Sequence, residues 1–596
     1  MKNSKKIFIS LVSLGAVATL SSCTIVSFTS SNELTQDTTS DNNSEVTSLT
    51  TSEEGLSEEN SLAVYQPVTS LYISEDDFSL VVGSTKNLYA QVSPSTATIS
   101  GVNWESSNSE IMTVDSGGLV TAMSQGTATL NCISDDNLSI FDSITIRVYE
   151  NGSGFSKMVL NATAQDLNRD YSESLGNQNV LIVPIHVSDI EEDSSWNEDE
   201  LEELDDLIFN EDDPSSYVSY YKTASNGRLI MSGEVSDIYT TEYTKDELEN
   251  SWTYIYDMFA NAVEWIDEND STVDIDTDYD QNGDGYIDNI HFVLDATSDV
   301  WGSNLWPHMS QTGNSPSTGG ELPSVNTYSL SNTDHLTDAY TTIHEQGHIF
   351  GLQDYYNYSS LSDDQGNSLY VDYVGFLDMQ SNTCFDWNVY SKMNMGWVDP
   401  YYFDGTQDTA TIEIGPAAST GDCIVVGTDW NGNAFDEYIT LELFADEGNN
   451  SLFWNDYSSY IGNGGIRISH VDSRMVNDSW KDVDDFYGTD SSYYLKYSNS
   501  VDSKDCFGYS FDDDYHLLQV IQANGTDTFS KPTRSYYDLF MNQDDLFQTG
   551  DTFSMDEYGE EFFANKTTLD NGDEFPYEIS FESVSADSAT ITITKI

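Results

Sequence analysis

Positive charge is scarce in this sequence: 20 lysines and arginines stand against 102 aspartates and glutamates in 596 residues, a formal net charge of −82. A field of that sign repels phosphate backbones and anionic headgroups, which excludes nucleic acid as a partner. For most of these carboxylates the acidity is a solvated, self-repelling surface suited to life outside the cell; for a few it is a means of binding cations. Cysteine is rarer still. Cys23, Cys132, Cys384, Cys423 and Cys506 are widely spread with no CxxC pair. That excludes a cysteine zinc site and a disulfide framework, while leaving room for one or two bridges. Long apolar runs are missing too, since beyond the N-terminus no stretch approaches the length of a transmembrane helix. What remains is 38% hydrophobic and 12% aromatic, enough for several packed domains. At about 150 residues per domain the length suggests about four.

Three lysines within Met1–Lys6 precede the short apolar run Ile7–Leu20, the pattern of a signal peptide over residues 1–22. Leu20-Ser21-Ser22-Cys23 resembles the lipobox of bacterial lipoproteins, which implies a diacylglyceryl group on Cys23 and a lipid anchor on the extracellular face of the cell membrane. The other reading is an ordinary secreted protein with a chance cysteine. Residues 23–66, rich in Ser, Thr, Asn, Asp and Glu, bury too little apolar surface to fold and read as a tether. From 67 to 150 short alternating strands such as Leu88–Val92, Leu119–Ala122 and Thr127–Leu130 indicate a β-sandwich. Val102–Asn108, Val114-Asp115 and Gly126–Ala128 resemble the bacterial immunoglobulin-like domains of group 2, which serve as spacers or adhesive modules, with Trp104 as core.

Between 151 and 400 strands and helices mix. Val180–Ile185 is a buried-strand run, and Trp196–Phe209 reads as a helix. Thr244-Lys-Asp-Glu247 is a capping box opening a second helix, whose apolar positions Leu248, Trp252, Ile255, Phe259, Val263 and Ile266 share one face. After Pro400 alternating strands return, as in Thr411–Ile414 and Ile579–Glu582, and 401–596 reads as a second β-sandwich-like domain.

The segment Thr342-Ile-His344-Glu345-Gln-Gly-His348-Ile-Phe-Gly351-Leu-Gln-Asp354 carries the chemistry. Residues four apart share a helix face, so His344 and His348 can turn both imidazoles to one zinc ion. Zinc lowers the pKa of a water it holds toward about 7, and the adjacent Glu345 is placed to take that proton and return it to the leaving amine. With only 8 histidines in the chain, about 0.006 such motifs are expected by chance. Gly351 can end the helix in a left-handed turn that swings Asp354 back toward the metal as a third ligand; its other reading is a residue that organises the turn before Tyr355.

His344, Glu345, His348, Gly351 and Asp354 together read HExxHxxGxxD, which resembles the metzincin pattern, and Leu377-Asp-Met379-Gln-Ser381 resembles that clan's Met-turn. Val180–Ile185, Tyr220–Lys222, Asn226–Leu229, Tyr390–Trp397, Gly465–Asp472 and Leu546–Phe553 extend the likeness over more than 400 residues to the immune inhibitor A-type secreted metallopeptidases. The resemblance implies an endopeptidase acting on protein or glycoprotein substrates, with Met379 as an apolar floor beneath the metal. The tether and immunoglobulin-like module do not match that family's usual propeptide.

Asp280, Asn282, Asp284, Tyr286 and Asp288 place oxygen donors at alternate positions around Gly285, the spacing of an EF-hand-type calcium loop, with His291 where the twelfth-position glutamate would stand. Its role would be structural, since it leads into the strand Ile290–Leu294. The sequence therefore predicts a multidomain chain: an Ig-like β-sandwich, an α/β metzincin-like metalloprotease domain, and a C-terminal β-sandwich-like domain. The competing reading is a surface adhesin whose protease-like domain is inactive.

Overall fold

The computed structural model describes residues 65–477, 493–500 and 515–596, apart from stretches of one to four residues. The signal segment, nearly all of the tether, Cys23 and Cys506 lie outside the described residues. The described part is multidomain and mostly β. Cys132, Cys384 and Cys423 are buried free thiols. Among the described residues no helix is long and apolar enough to cross a membrane.

The first folded unit runs to Tyr149. The four-stranded sheet of Phe78–Val81, Phe141–Tyr149, Gly126–Ser134 and Val102–Ser106 faces the three-stranded sheet of Thr85–Asn87, Leu119–Ala122 and Met112–Val114. Trp104, 8% exposed, packs among Leu88, Met112, Val120, Leu130 and Ile146, so the alternating pattern buries one side of each strand.

The next unit is built on a mixed sheet. Five of its six strands, β1 (Gly176–Val187), β2 (Leu229–Val235), β3 (Ile290–Leu294), β4 (His308–Gln311) and β5 (Thr327–Asn332), lie in the order β2-β1-β3-β5-β4, and the short Tyr239–Thr241 strand pairs with the end of β1. The first four in that order are parallel, and the edge strand β4 is antiparallel to β5. Helices cover both faces, which is why β1 reads as a continuous apolar run. Leu181, Val183 and Ile185 meet Ile255, Met258, Phe259 and Ile266 of α1 (Trp252–Asn269), where the Phe259 ring stacks on Phe292 at 3.9 Å. Val180 and Ile182 face Tyr217, Tyr220, Tyr221, Ile343 and Trp397 on the other side.

The helix expected from Thr244 is two helices. Thr244 and Glu247 form the capping box, but the helix they start ends at Glu249; Ser251 then accepts the Tyr254 N–H and caps α1 afresh. A serine that bonds the backbone locally interrupts a helix as readily as it starts one. Trp252, expected on the buried face, is 42% exposed.

The helix α2 (Tyr340–Ile349), which carries the HExxH residues, lies against β5. A buried polar network ties it down. The Gln346 amide donates to Ser329 Oγ at 2.7 Å, and Tyr221 OH donates to the Ile343 carbonyl at 2.7 Å. His291 meets Ser329 at 2.6 Å, Ser331 at 2.9 Å and Thr342 of α2 at 3.2 Å.

Beyond α2 the chain forms α3 (Met379–Asn382) and α4 (Val389–Asn394), then a six-stranded sheet. That sheet orders Phe155–Lys157, β6 (Tyr401–Phe403), β7 (Cys423–Val426), β8 (Glu437–Phe444), β9 (Gly465–Asp472) and β10 (Leu518–Ile521). One face packs on a four-stranded antiparallel sheet through Ile439, Leu441, Ile466 and Ile468 against Ile412, Ile579, Phe581 and Ile591. The other face receives Tyr355, Val374, Leu377, Phe385, Tyr390 and Met393, all from before the boundary expected at 400. Backbone bonds cross it as well: Asp372 N–H to Phe529 O at 3.1 Å, Val520 N–H to Tyr373 O at 2.9 Å and Met541 N–H to Gly375 O at 3.1 Å. The strand pattern changes at Pro400, but the hydrophobic core does not stop there.

Two outcomes follow from this packing. A fragment of residues 154–400 would expose that entire apolar face, so it should show no cooperative unfolding by calorimetry where the full chain does; a sharp transition with native near-ultraviolet dichroism would contradict the shared core. Burial pushes His291 down to about 3 from its ordinary 6.5. The folded state then binds a proton less readily than the unfolded one, so the stability it gives is complete above about pH 6.5 and is lost as the pH falls toward 3. Denaturant titrations of the wild type should show a steep loss across that window, on the order of several kcal/mol, and His291→Gln should flatten it.

Candidate metal centre

His344 and His348 stand on consecutive turns of α2 with their rings nearly perpendicular, centroids 4.9 Å apart and planes at 89°. Each Nδ1 faces a carbonyl oxygen: Met379 O at 2.7 Å for His344, Leu352 O at 2.8 Å for His348. A carbonyl only accepts, so each Nδ1 carries the hydrogen and each Nε2 of a neutral ring is left with a bare lone pair. Those lone pairs face each other at 3.3 Å.

The chain after α2 completes the arrangement. Gly351, at φ +103°, ends the helix in a conformation L side chains rarely adopt; a Cβ there would meet the Tyr171 ring at 3.0 Å. The reversal brings Asp354 Oδ1 to 3.1 Å from His344 Nε2 and 3.3 Å from His348 Nε2. That Oδ1 is buried and has no hydrogen-bond partner. Asp354 Oδ2, by contrast, accepts the Tyr358 hydroxyl.

With both rings neutral, three acceptors thus converge in a buried place with no donor between them. Their mutual separations of 3.1–3.3 Å are the edges of a tetrahedron whose centre lies about 1.9–2.0 Å from each corner, close to the bond length of about 2.0–2.1 Å that zinc makes to nitrogen and oxygen. Two imidazoles and one carboxylate fit zinc's preferences, and three protein ligands leave one position open. The electrostatics agree. Burial opposes charge on His348, yet the Asp354 carboxylate and then Glu345 outweigh it and hold the ring at about 9. Despite its burial, Asp354 is held far below the usual carboxylate range by the two histidines. The pocket is starved of positive charge.

Glu345 is 8% exposed. Burial raises its carboxyl above the ordinary value, with the histidines pulling the other way. Met379 is fully buried with Ile343, Phe350 and Trp387, and its carbonyl is the atom that orients His344.

Several participants were not singled out from the sequence. Gln380 places its amide nitrogen 3.4 Å from the His344 carbonyl and 3.3 Å from His348 Nδ1, and Trp387 Nε1 fixes its other end by donating to Oε1 at 3.0 Å. Gly347 is where Gln380 crosses α2, since a Cβ there would lie 2.7 Å from its Oε1. Tyr356 lays its ring 6.4 Å from His344, near parallel, and 5.2 Å from the Tyr358 ring. Asp354, Tyr356 and Tyr358 alternate along extended chain, a period-two signal present in the sequence.

Among the described residues a second group, Glu437, His470 and Asp570, is also close enough to share an ion. It differs in being satisfied. Glu437 accepts from His470 Nε2 at 2.8 Å, from the Asp570 N–H at 2.5 Å and from the Asn571 N–H at 2.6 Å, with Arg474 3.6 Å away. It is a paired network that needs no metal.

In the 280–288 loop, Asp280 accepts the Asp284 and Gly285 N–H groups at 3.0 and 3.1 Å, Asn282 that of Asp284 at 2.8 Å, and Asp284 that of Tyr286 at 2.9 Å. Burial pushes Asp288 up to about 6, with Asp284 and Asp280 adding to the rise. His291, the twelfth position, points instead into the network beneath α2.

Comparison with known proteins bears on the N-terminal unit. Over 80 residues the chain is 32% identical to an uncharacterized protein of Clostridium acetobutylicum, covering 13% of this chain and 8% of that one. Among solved structures it is similar to a C-terminal intimin fragment in complex with its receptor's intimin-binding domain (24% identity, 17% of this chain and 38% of that, TM-score 0.12). It is also similar to surface layer protein SbsC (16% identity, 16% and 15%, TM-score 0.14) and to a termite-gut GH10 xylanase containing a bacterial Ig-like domain (17% identity, 18% and 25%, TM-score 0.11). The family model for bacterial Ig-like domains of group 2 matches residues 67–140, and that segment of the chain is such a domain.

Proposed function

We propose that this protein is a zinc-dependent endopeptidase of the bacterial cell surface, anchored through a lipid on Cys23 and resembling the immune inhibitor A-type metallopeptidases. The observation that carries the reading is the buried Asp354 Oδ1 facing two imidazole nitrogens whose lone pairs, when the rings are neutral, converge on the same point. His344, His348 and Asp354 would hold the ion, and bound there it would supply Lewis acidity to a peptide carbonyl and ease the ionisation of water.

The chain's own groups do the rest. The Met379 and Leu352 carbonyls lock both rings in the tautomer that presents Nε2, the outer-shell support on which metal affinity depends. Glu345 takes a proton from the attacking water. Its burial-raised proton affinity suits a base working near neutrality, and the same carboxyl then delivers the proton to the amine nitrogen as the peptide C–N bond breaks. Tyr358 restrains Asp354 through Oδ2 and leaves Oδ1 for the ion. The Ig-like domain and the tether before it suit a spacer that carries the catalytic unit away from the membrane.

A calcium ion in the 280–288 loop is part of the same proposal. Asp280, Asn282, Asp284 and Asp288 would supply side-chain oxygens and Tyr286 its carbonyl. A cation there would offset the burial that raises Asp288 and the crowding by Asp284 and Asp280 that adds to it.

Two experiments test the proposal. The purified ectodomain should hydrolyse casein, lose the activity to a zinc chelator, and lose at least about a thousandfold in kcat in Glu345→Ala while keeping its fold. Proteolysis undiminished in that variant rules the assignment out, and none in the wild type shifts weight to a binding protein. Added calcium should raise the melting temperature of the wild type and leave Asp284→Ala almost unmoved; equal shifts in both count against the loop.

A further inference from the structure

The site's most consequential neighbour lies more than a hundred residues downstream. Arg467, the third residue of β9, is a cation only 2% exposed. Its Nε donates to Glu442 Oε1 of β8 at 2.8 Å, and its Nη1 donates to the Leu377 carbonyl at 3.0 Å. The guanidinium lies 4.9 Å from the Phe444 ring centre, which holds its plane. The Leu377 carbonyl opens the turn whose next residue, Asp378, is fully buried. Asp378 caps α3 by accepting the Gln380 N–H at 2.9 Å, and its other oxygen accepts the Asn388 N–H and side-chain amide, both at 2.8 Å. One residue further on, the Met379 carbonyl accepts from His344 Nδ1, and beyond it the Gln380 amide lies 3.4 Å from the His344 carbonyl, its other end held by Trp387.

A continuous path therefore leads from Glu442 through Arg467 to the Leu377–Gln380 turn and on to the His344 imidazole. Every link is buried, and burying an arginine is costly unless its hydrogen bonds are made. The planar guanidinium aims separate nitrogens at the carboxylate and the carbonyl in a fixed geometry; a lysine's three donors share one nitrogen on a flexible stem and hold neither direction.

We propose that Arg467, held by Glu442, is a positioning residue of the metal centre, fixing the Leu377–Gln380 turn that aims the His344 imidazole. The β-sheet of the C-terminal half thereby sets metal affinity. This rests on the zinc-site reading above.

The test is zinc affinity of the full ectodomain, measured by competition with a chromogenic chelator, alongside apo-protein melting. Two variants are compared with the wild type. Arg467→Lys keeps the charge and loses the fork; Glu442→Gln/Arg467→Met removes the ion pair as a unit, leaving Asp378 held by the Gln380 and Asn388 N–H groups, and apo-protein melting checks that the fold is retained. His470→Gln is the control. It breaks an ion pair on the same strand but on the opposite face, since 467 and 470 differ by an odd number of residues. Both Arg467 variants should bind zinc about 10- to 100-fold more weakly, and His470→Gln should lower the melting temperature with unchanged affinity. Folded Arg467 variants that bind zinc within twofold of the wild type overturn the inference and leave the zinc site standing. A wild type that takes up no zinc overturns both. Should Arg467→Lys fail to fold, the double variant decides.

Discussion

Three electron-pair donors held face to face in a buried pocket form an arrangement that a folded chain does not leave unbalanced. Two histidine nitrogens and a carboxylate oxygen within 3.3 Å of one another repel unless something positive sits among them. Much of the surrounding structure enforces that convergence: carbonyls that dictate the tautomers, a left-handed glycine that reverses the chain, and a buried aspartate that caps the turn beneath. The contrast with Glu437, His470 and Asp570 is instructive. There the same residue types meet, but backbone N–H groups and an arginine supply the positive ends.

Histidine spacing, the neighbouring glutamate, the terminating glycine and the returning aspartate were all legible in the sequence, because each follows from helical periodicity or from the conformational freedom of glycine. The Ig-like unit was legible for a similar reason, its alternating strands each burying one side. What pattern could not reveal was anything set by long-range contact. Gln380 and Trp387 gain meaning only when the turn folds over α2. Arg467 reads as a lone charge in an apolar strand until Leu377 arrives beside it. His291 sat in a calcium-loop register, yet the strand that follows buries it, and burial governs its chemistry.

The same limit explains the boundary at Pro400. Composition shifts from mixed helices and strands to short alternating strands at that point, and such a shift ordinarily marks a linker. Here Tyr355–Met393 supply one wall of a core and β7–β10 the other, so the two halves share one core built from dissimilar elements. Ser251 makes a smaller version of this point: a capping serine inside an apolar repeat breaks a helix that periodicity alone would continue.

The account stands on a metal ion, rather than protons, balancing the three converging donors. Crystals of the ectodomain grown with equimolar zinc, with data collected on both sides of the zinc absorption edge, test this most directly. The account predicts one strong anomalous peak within bonding distance of His344 Nε2, His348 Nε2 and Asp354 Oδ1. An empty position there, with the imidazoles bonded straight to Asp354 at neutral pH, would contradict it.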